Sequence, residues 1–435
     1  MKSVKQLTLE GTLTEVTSLI EKRIDLYLRE FPRFIEPKGE NTFGFWVQTV
    51  ADIQLLDLEL KGLTKSYRID VINRTVEFEG DPEFVKYRVA HLEKVQNEKT
   101  LYTDFVDTFN DTNAYAFHNL YPYKGKFYPR IVRTLINAFK LDEKSLILDP
   151  FNGSGTTTHE ASLMGIKSVG VELTPMGFIM SKLKNDLLFI KESELKFTEK
   201  ELKEIFRSIE AKNWEYHNDT IHKLMLLLYF DTIDAFERTS RYNKKGKVGL
   251  FIDKYKYILD CYNKTMEIKR KWNLNFVSAE IYEGDTLELR QFDWMEEKFD
   301  AVITSPPYFF SIDYVGKDKV AYEYLGISME QLRSKYLGMK NNVSYKGRYP
   351  ARIIQYYIDL KRSIENIYWV LKDGGKLAII VGDSTLQGKK LPTTLMTKKF
   401  CEEVGFKFER LIFNPLLGER NRAIRGESII ICSKT

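Results

Sequence analysis

The sequence predicts an α/β fold on an open, mostly parallel sheet whose last strand runs antiparallel, with an α+β region before it and a helical insertion within it. Two observations carry this expectation. Short apolar runs each stop at a polar residue and a loop: Ser145-Leu-Ile-Leu148 before Asp149-Pro150, Lys167 to Val171 before Glu172, and Phe299-Asp-Ala-Val-Ile303 before Thr304. Runs without regular polar alternation are the pattern of parallel strands buried on both faces. The first run is followed by Gly153-Ser-Gly155 and a helical pattern from Thr157 to Met164, the order strand, glycine turn, helix that builds nucleotide sites.

The elements follow in chain order. Residues 1–110 combine an amphipathic stretch near Leu13 to Phe31 with alternating segments Tyr67 to Val71 and Thr75 to Phe78, which predicts a small α+β unit. Residues 111–190 hold the glycine turn and form the cofactor half of the main domain. From 191 to 275 the pattern is charged and helical, with apolar steps of three and four such as Leu224, Leu227 and Leu228, so this stretch interrupts the sheet. Residues 276–435 form the second half. Its strands are expected at Phe276 to Glu280, Phe299 to Ile303, Lys376 to Val381, Phe406 to Phe413 and Ser428 to Ser433, the last two as an antiparallel pair.

Two loops carry the chemistry. Gly153 and Gly155 let the backbone turn sharply and let a ligand approach it, and Glu172, ending the next strand, stands where a ribose diol can be hydrogen-bonded. No Gly-Lys-Ser/Thr follows this loop, and Thr158 replaces the third glycine of the dinucleotide fingerprint. A nucleoside cofactor without phosphates is therefore favoured. The second loop, Ser305-Pro-Pro-Tyr308, leaves the carboxyl end of a strand, where open α/β sheets bind ligands. Pro306 and Pro307 fix φ and remove donors, Ser305 adds an acceptor oxygen, and Tyr308 adds a flat ring. Such a loop can receive both protons of a planar amine while the ring stacks on its base.

On Asp149 to Thr157 and Ser305 to Tyr308 the chain resembles the amino-methylating DNA methyltransferases, which methylate cytosine N4 or adenine N6 with S-adenosylmethionine. The resemblance implies a Rossmann-like methyltransferase sheet. It extends to Phe117 to Arg133, similar to the family's segment that closes over the methionine end of the cofactor, and so places Tyr123, Lys124 and Phe127 there. Asp149, Pro150, Phe151, Gly153, Ser154, Gly155, Thr156, Thr157 and Glu172 are the implied cofactor loop and ribose acid. Asp285, in Glu283-Gly-Asp-Thr286, stands where the family has an acid on the adenine amine, and could equally be a helix N-cap; Tyr282 or Phe151 could flank the adenine. The cofactor motif precedes the catalytic loop, unlike the commoner arrangement of serine-type members. A serine opening the catalytic loop usually accompanies cytosine N4, so Ser305 favours that atom. Adenine N6 is the alternative, followed by an RNA guanine-N2 methyltransferase and a catalytically silent DNA-binding subunit.

Composition bears on the partners. The net charge is +5 and the pI near 8.7, with basic runs at Arg238 to Lys247, Arg333 to Arg352 and Arg420 to Arg425. Tyrosines interleave the second run, so Lys335, Lys346 and Arg348 are candidate phosphate contacts on a DNA substrate. The enzyme would act alone or beside a cognate restriction endonuclease. Target reading falls to the 191–275 insertion or to Tyr314 to Tyr349. Cys261, Cys401 and Cys432 lack the preceding proline of C5-methylating chemistry and any paired spacing. No histidine pair has metal spacing and no metal is expected; His118 and His159 read as ordinary polar contacts. The chain shows neither a long apolar run nor a signal-peptide core, so a cytoplasmic protein without a membrane span is expected.

Overall fold

The apolar runs assemble into a seven-stranded sheet in a computed structural model that describes residues 39–123, 125–215, 219–239, 245–309, 315–339, 351–386, 389–415 and 426–435. The chain divides into two compact units between Asp104 and Phe105.

The first unit holds a five-stranded antiparallel sheet of β1 (Thr42–Phe43), β2 (Ser66–Asp70), β3 (Thr75–Glu79), β4 (Leu92–Val95) and β5 (Glu98–Lys99), in the order β2-β3-β1-β4-β5. The two alternating segments of the sequence form its β2–β3 hairpin. The helix Val50–Leu63 begins with a capping box between Thr49 and Asp52 and buries Leu56 and Leu60. Its Glu59 is fully buried, accepting from the Ala90 N–H at 2.9 Å and meeting His91 Nδ1 at 2.9 Å. The amphipathic stretch near Leu13 to Phe31 lies outside the described residues.

The large sheet belongs to the second unit. Its strands are β6 (Leu146–Asp149), β7 (Lys167–Glu172), β8 (Glu280–Glu283), β9 (Phe299–Thr304), β10 (Leu371–Gly382), β13 (Phe406–Pro415) and β14 (Gly426–Lys434); β11 (Ser384–Leu386) and β12 (Lys389–Leu391) form a separate hairpin. The order is β13-β14-β10-β9-β6-β7-β8, and β14 runs antiparallel to both of its neighbours. Leu148, Val302, Leu377 and Ile379 share one core with Leu360, Ile364 and Ile367 of the helix Ala351–Val370. Their alternates Ile147, Ala301, Ile303, Ala378 and Ile380 point to the other face and are buried as well. Burial on both faces is why these strands read as continuous apolar runs.

One strand begins later than the sequence suggested. Phe276 is buried with the Lys269 ammonium 4.7 Å from its ring centre, and β8 starts only at Glu280. Phe276 thus packs back on the end of a helix rather than opening a strand. The segment between β7 and β8 holds the helices Glu199–Glu210, Asp219–Arg238 and Gly246–Lys271, joined by the Phe206 ring against Tyr229 at 5.2 Å and Phe251 at 5.5 Å. Asp383, just after β10, accepts from the Thr394 N–H at 2.8 Å and so satisfies a first-turn donor of the helix Thr393–Val404. Among the described residues no helix is long and apolar enough to cross a membrane.

Candidate functional site

The sheet changes direction at β6. After β6 the chain adds β7 and β8 on one side, then returns to place β9 on the other. A crevice opens at the carboxyl ends of the strands where such an order reverses. The glycine loop leaves β6 and the Ser-Pro-Pro-Tyr loop leaves β9, so topology alone brings the two motifs together.

Side chains then lock them. Thr304 Oγ1 donates to Asp149 Oδ1 at 2.6 Å, and Thr157 Oγ1 donates to the Ile303 carbonyl at 3.2 Å. Burial pushes the Asp149 carboxyl up to about 6, with the Thr304 hydroxyl opposing the shift. Gly153 and Gly155 both have positive φ, +52° and +77°. A Cβ on Gly155 would come within 2.7 Å of Ser181 Cβ, so this turn and its packing need glycine. Glu172 Oε2 accepts from the Gly153 N–H at 2.7 Å, and Oε1 accepts from the Thr174 N–H at 2.9 Å and from its hydroxyl at 2.5 Å. Burial raises the Glu172 carboxyl above its ordinary range. The acid expected on a ribose also braces the loop.

A cleft of about 750 Å³, counting its open mouth, lies above these strand ends. Of the expected cofactor residues, Tyr123, Phe127, Pro150, Phe151 and Gly153 line it, with Ser154, Thr156, Glu172 and Asp285. Asp149, Gly155 and Thr157 are buried beneath this surface as its supports, and Lys124 lies outside the described residues. Asp285 does two things at once: it borders the cleft, and its Oδ1 accepts from the Leu287 N–H at 2.9 Å as a helix N-cap. Phe151 reaches the cleft. Tyr282 instead packs against Phe292 at 5.8 Å and Trp294 at 5.5 Å.

Ser305 and Pro307 border the same cleft. Ser305 Oγ donates to the Ile380 carbonyl at 3.0 Å, and Tyr356 Oη donates to the Pro307 carbonyl at 3.1 Å. Pro306 is buried, and so is Tyr308, 7% exposed, whose hydroxyl donates to Glu427 Oε1 on β14 at 2.9 Å. The Tyr308 ring is therefore packed behind the loop and does not line the cleft, contrary to the expectation of an open stacking face; its bond to the half-buried Glu427 is the reason.

Lys335 stands in the cleft wall with Tyr336 and Leu337. Lys346 and Arg348 lie outside the described residues. The two candidates for target reading pack together where they are described. Tyr324 Oη donates to the Ile209 carbonyl at 3.0 Å and its ring meets Phe230 at 5.2 Å, while Arg238 donates to the Lys317 carbonyl at 3.4 Å.

Three contributors were not singled out by the sequence. Asn152 lines the cleft from within the glycine loop, and its buried Nδ2 has no partner among the described residues. Its position inside the motif was the available signal. Lys126 lines the cleft and donates to the His118 carbonyl at 2.7 Å. Behind the loop, buried Glu160 gathers Arg133 Nε at 2.7 Å, Tyr115 Oη at 2.7 Å and His118 Nε2 at 3.0 Å. Burial holds the His118 and His159 imidazoles well below their usual range.

A Cβ-free cradle, an unpartnered amide and two bordering carboxylates can receive the hydroxyls and amine of a nucleoside, with Lys126 and Lys335 on the same wall. Comparison with known proteins points the same way. The chain matches the family described as DNA methylase over residues 13–176, and the RMKL-like methyltransferase domain over residues 120–345, slightly more than half its length. It is 23% identical to the Type II methyltransferase M.BsoBI of Geobacillus stearothermophilus, covering 83% of this chain and 92% of that protein. It is 21% identical to the Type II methyltransferase M.MvaI of Kocuria varians, covering 77% of this chain and 92% of that one. Among solved structures, TrmN from Thermus thermophilus is similar at 10% identity and a TM-score of 0.32, covering 79% of this chain and 56% of that one.

Proposed function

The chain belongs to the S-adenosylmethionine-dependent DNA amino-methyltransferases, and from that premise we propose that it methylates cytosine N4 on a base flipped out of duplex DNA. The observation that carries the reading is Ser305, which opens the catalytic loop on the wall of the cleft that holds the glycine loop. A base within a duplex cannot reach such a cleft, so it must leave the stack.

S-adenosylmethionine supplies an activated methyl group on a sulfonium. The cleft fits that group through the Gly153 and Gly155 turn, the unpartnered Asn152 amide and the flanking Glu172 and Asp285. Glu172 would hold the ribose hydroxyls, Asp285 the adenine amine, and Tyr123 and Phe127 would close over the methionine end. Because Ser305 gives its hydroxyl proton to the Ile380 carbonyl, its oxygen keeps its lone pairs for the cleft and acts on an amine as an acceptor. With the Pro306 carbonyl it draws the amine protons out of the ring plane, freeing the nitrogen lone pair for attack. The proton leaves after transfer, when the methylated nitrogen has become acidic. Orientation and fixed dipoles provide the rate.

The test is product analysis of DNA treated with the protein and S-adenosylmethionine. N4-methylcytosine is expected. N6-methyladenine would move the assignment to the other base, and methylated RNA beside unmodified DNA would overturn the substrate.

A further inference from the structure

Lys184, on the helix Pro175–Asp186, is 1% exposed. Among the described residues its ammonium has one hydrogen-bond partner, Ser154 Oγ at 3.3 Å, and no carboxylate within ion-pair distance. A buried ammonium without a counter-ion is costly. Its surroundings deepen the cost. Lys126 stands near as a like charge, the His118 and His159 imidazoles are buried beside it, and Glu160 is already engaged by Arg133, Tyr115 and His118. Ser154, the hydrogen-bond partner of Lys184, is 3% exposed and borders the cleft.

We propose that Lys184 is a positioning residue that recognises the carboxylate of the cofactor's methionine moiety through Ser154. The inference rests on the cofactor assigned above. The lysine donates to Ser154 Oγ, which turns the serine hydroxyl proton outward to the carboxylate, and Lys126 on the cleft wall supplies a second positive charge. Burial, and then Lys126, hold the Lys184 ammonium well below its ordinary range. A carboxylate arriving at Ser154 relieves both effects.

Calorimetry of the full chain with two ligands tests this. S-adenosylhomocysteine and 5′-methylthioadenosine share the adenosine and the thioether, and only the first carries the amino acid. Lys184→Met is expected to weaken S-adenosylhomocysteine by about tenfold to a hundredfold, as loss of a charge-assisted contact does, while 5′-methylthioadenosine changes by less than about twofold. Ser154→Ala, which removes only a hydroxyl, should split the two ligands in the same direction and stands in if Lys184→Met does not fold. Equal loss for both ligands would make Lys184 a mere prop of the loop and overturn the proposal, as would unchanged affinity for both. Wild-type protein that binds neither ligand would overturn the cofactor assignment instead.

Discussion

Ser305→Ala removes the acceptor at the mouth of the catalytic loop but none of the cofactor contacts, so methyl transfer should fall by about a hundredfold to a thousandfold while S-adenosylhomocysteine affinity holds. Single-turnover kinetics and calorimetry read the two. Tyr308 separates ring from hydroxyl. Tyr308→Phe loses the hydroxyl that meets Glu427 and Ser305 Oγ, whereas Tyr308→Ala also empties a buried site and should lose more of the rate; comparable rates in both would leave the ring without a role in the loop. Asp149 makes a prediction about pH. Its folded carboxyl titrates near 6 against an ordinary 3.8, so between those values the native state holds more protons than the unfolded one and stability falls as pH rises. Asp149→Asn keeps an acceptor for Thr304 and removes the buried charge. It should raise the melting temperature relative to wild type at pH 7.5, and that advantage should shrink at pH 4.5; a constant difference at both pH values would mean the carboxyl does not titrate there.

Among the elements, the helical insertion and the segment after the catalytic loop pack together where they are described, because Tyr324 joins them by a hydrogen bond and a ring contact. Tyr324→Ala should weaken DNA binding in a filter or anisotropy assay and leave S-adenosylhomocysteine affinity within about twofold. Equal loss of both would mean the contact supports the whole site. This pairing was not legible in the sequence. Periodicity marks Leu224, Leu227 and Leu228 as one apolar face but does not say which later segment covers the helix. By contrast β6, β7 and β9 were legible, since a parallel strand buried on both faces has no polar alternation to hide it. The start of β8 was not, because Phe276 is as apolar as any strand residue and only its packing against Lys269 assigns it to the helix end.

At the scale of the molecule, the two loops were legible because glycine and proline announce backbone geometry directly. Asn152 and Lys126 were not, since a lone polar residue carries no mark of the cleft it will face. Lys335 was picked out for its charge, yet only the fold places it in the wall beside the glycine loop. Every described cleft residue lies after Asp104, which makes the first unit a separate test. Glu59→Ala there deprives the buried His91 Nδ1 and the Ala90 N–H of their hydrogen-bond partner, and should cost about 1–3 kcal/mol of local stability for each group left unsatisfied. A calorimetric scan should show an early transition with S-adenosylhomocysteine affinity kept; lost affinity would mean the cleft depends on that unit.

The Tyr308 to Glu427 bond spans 119 positions of the chain. At roughly 5–20 residues per second of synthesis, Glu427 is made about 6–24 s after Tyr308. A growing polypeptide therefore carries both of its motif loops for some seconds before the second is tethered to its last strand.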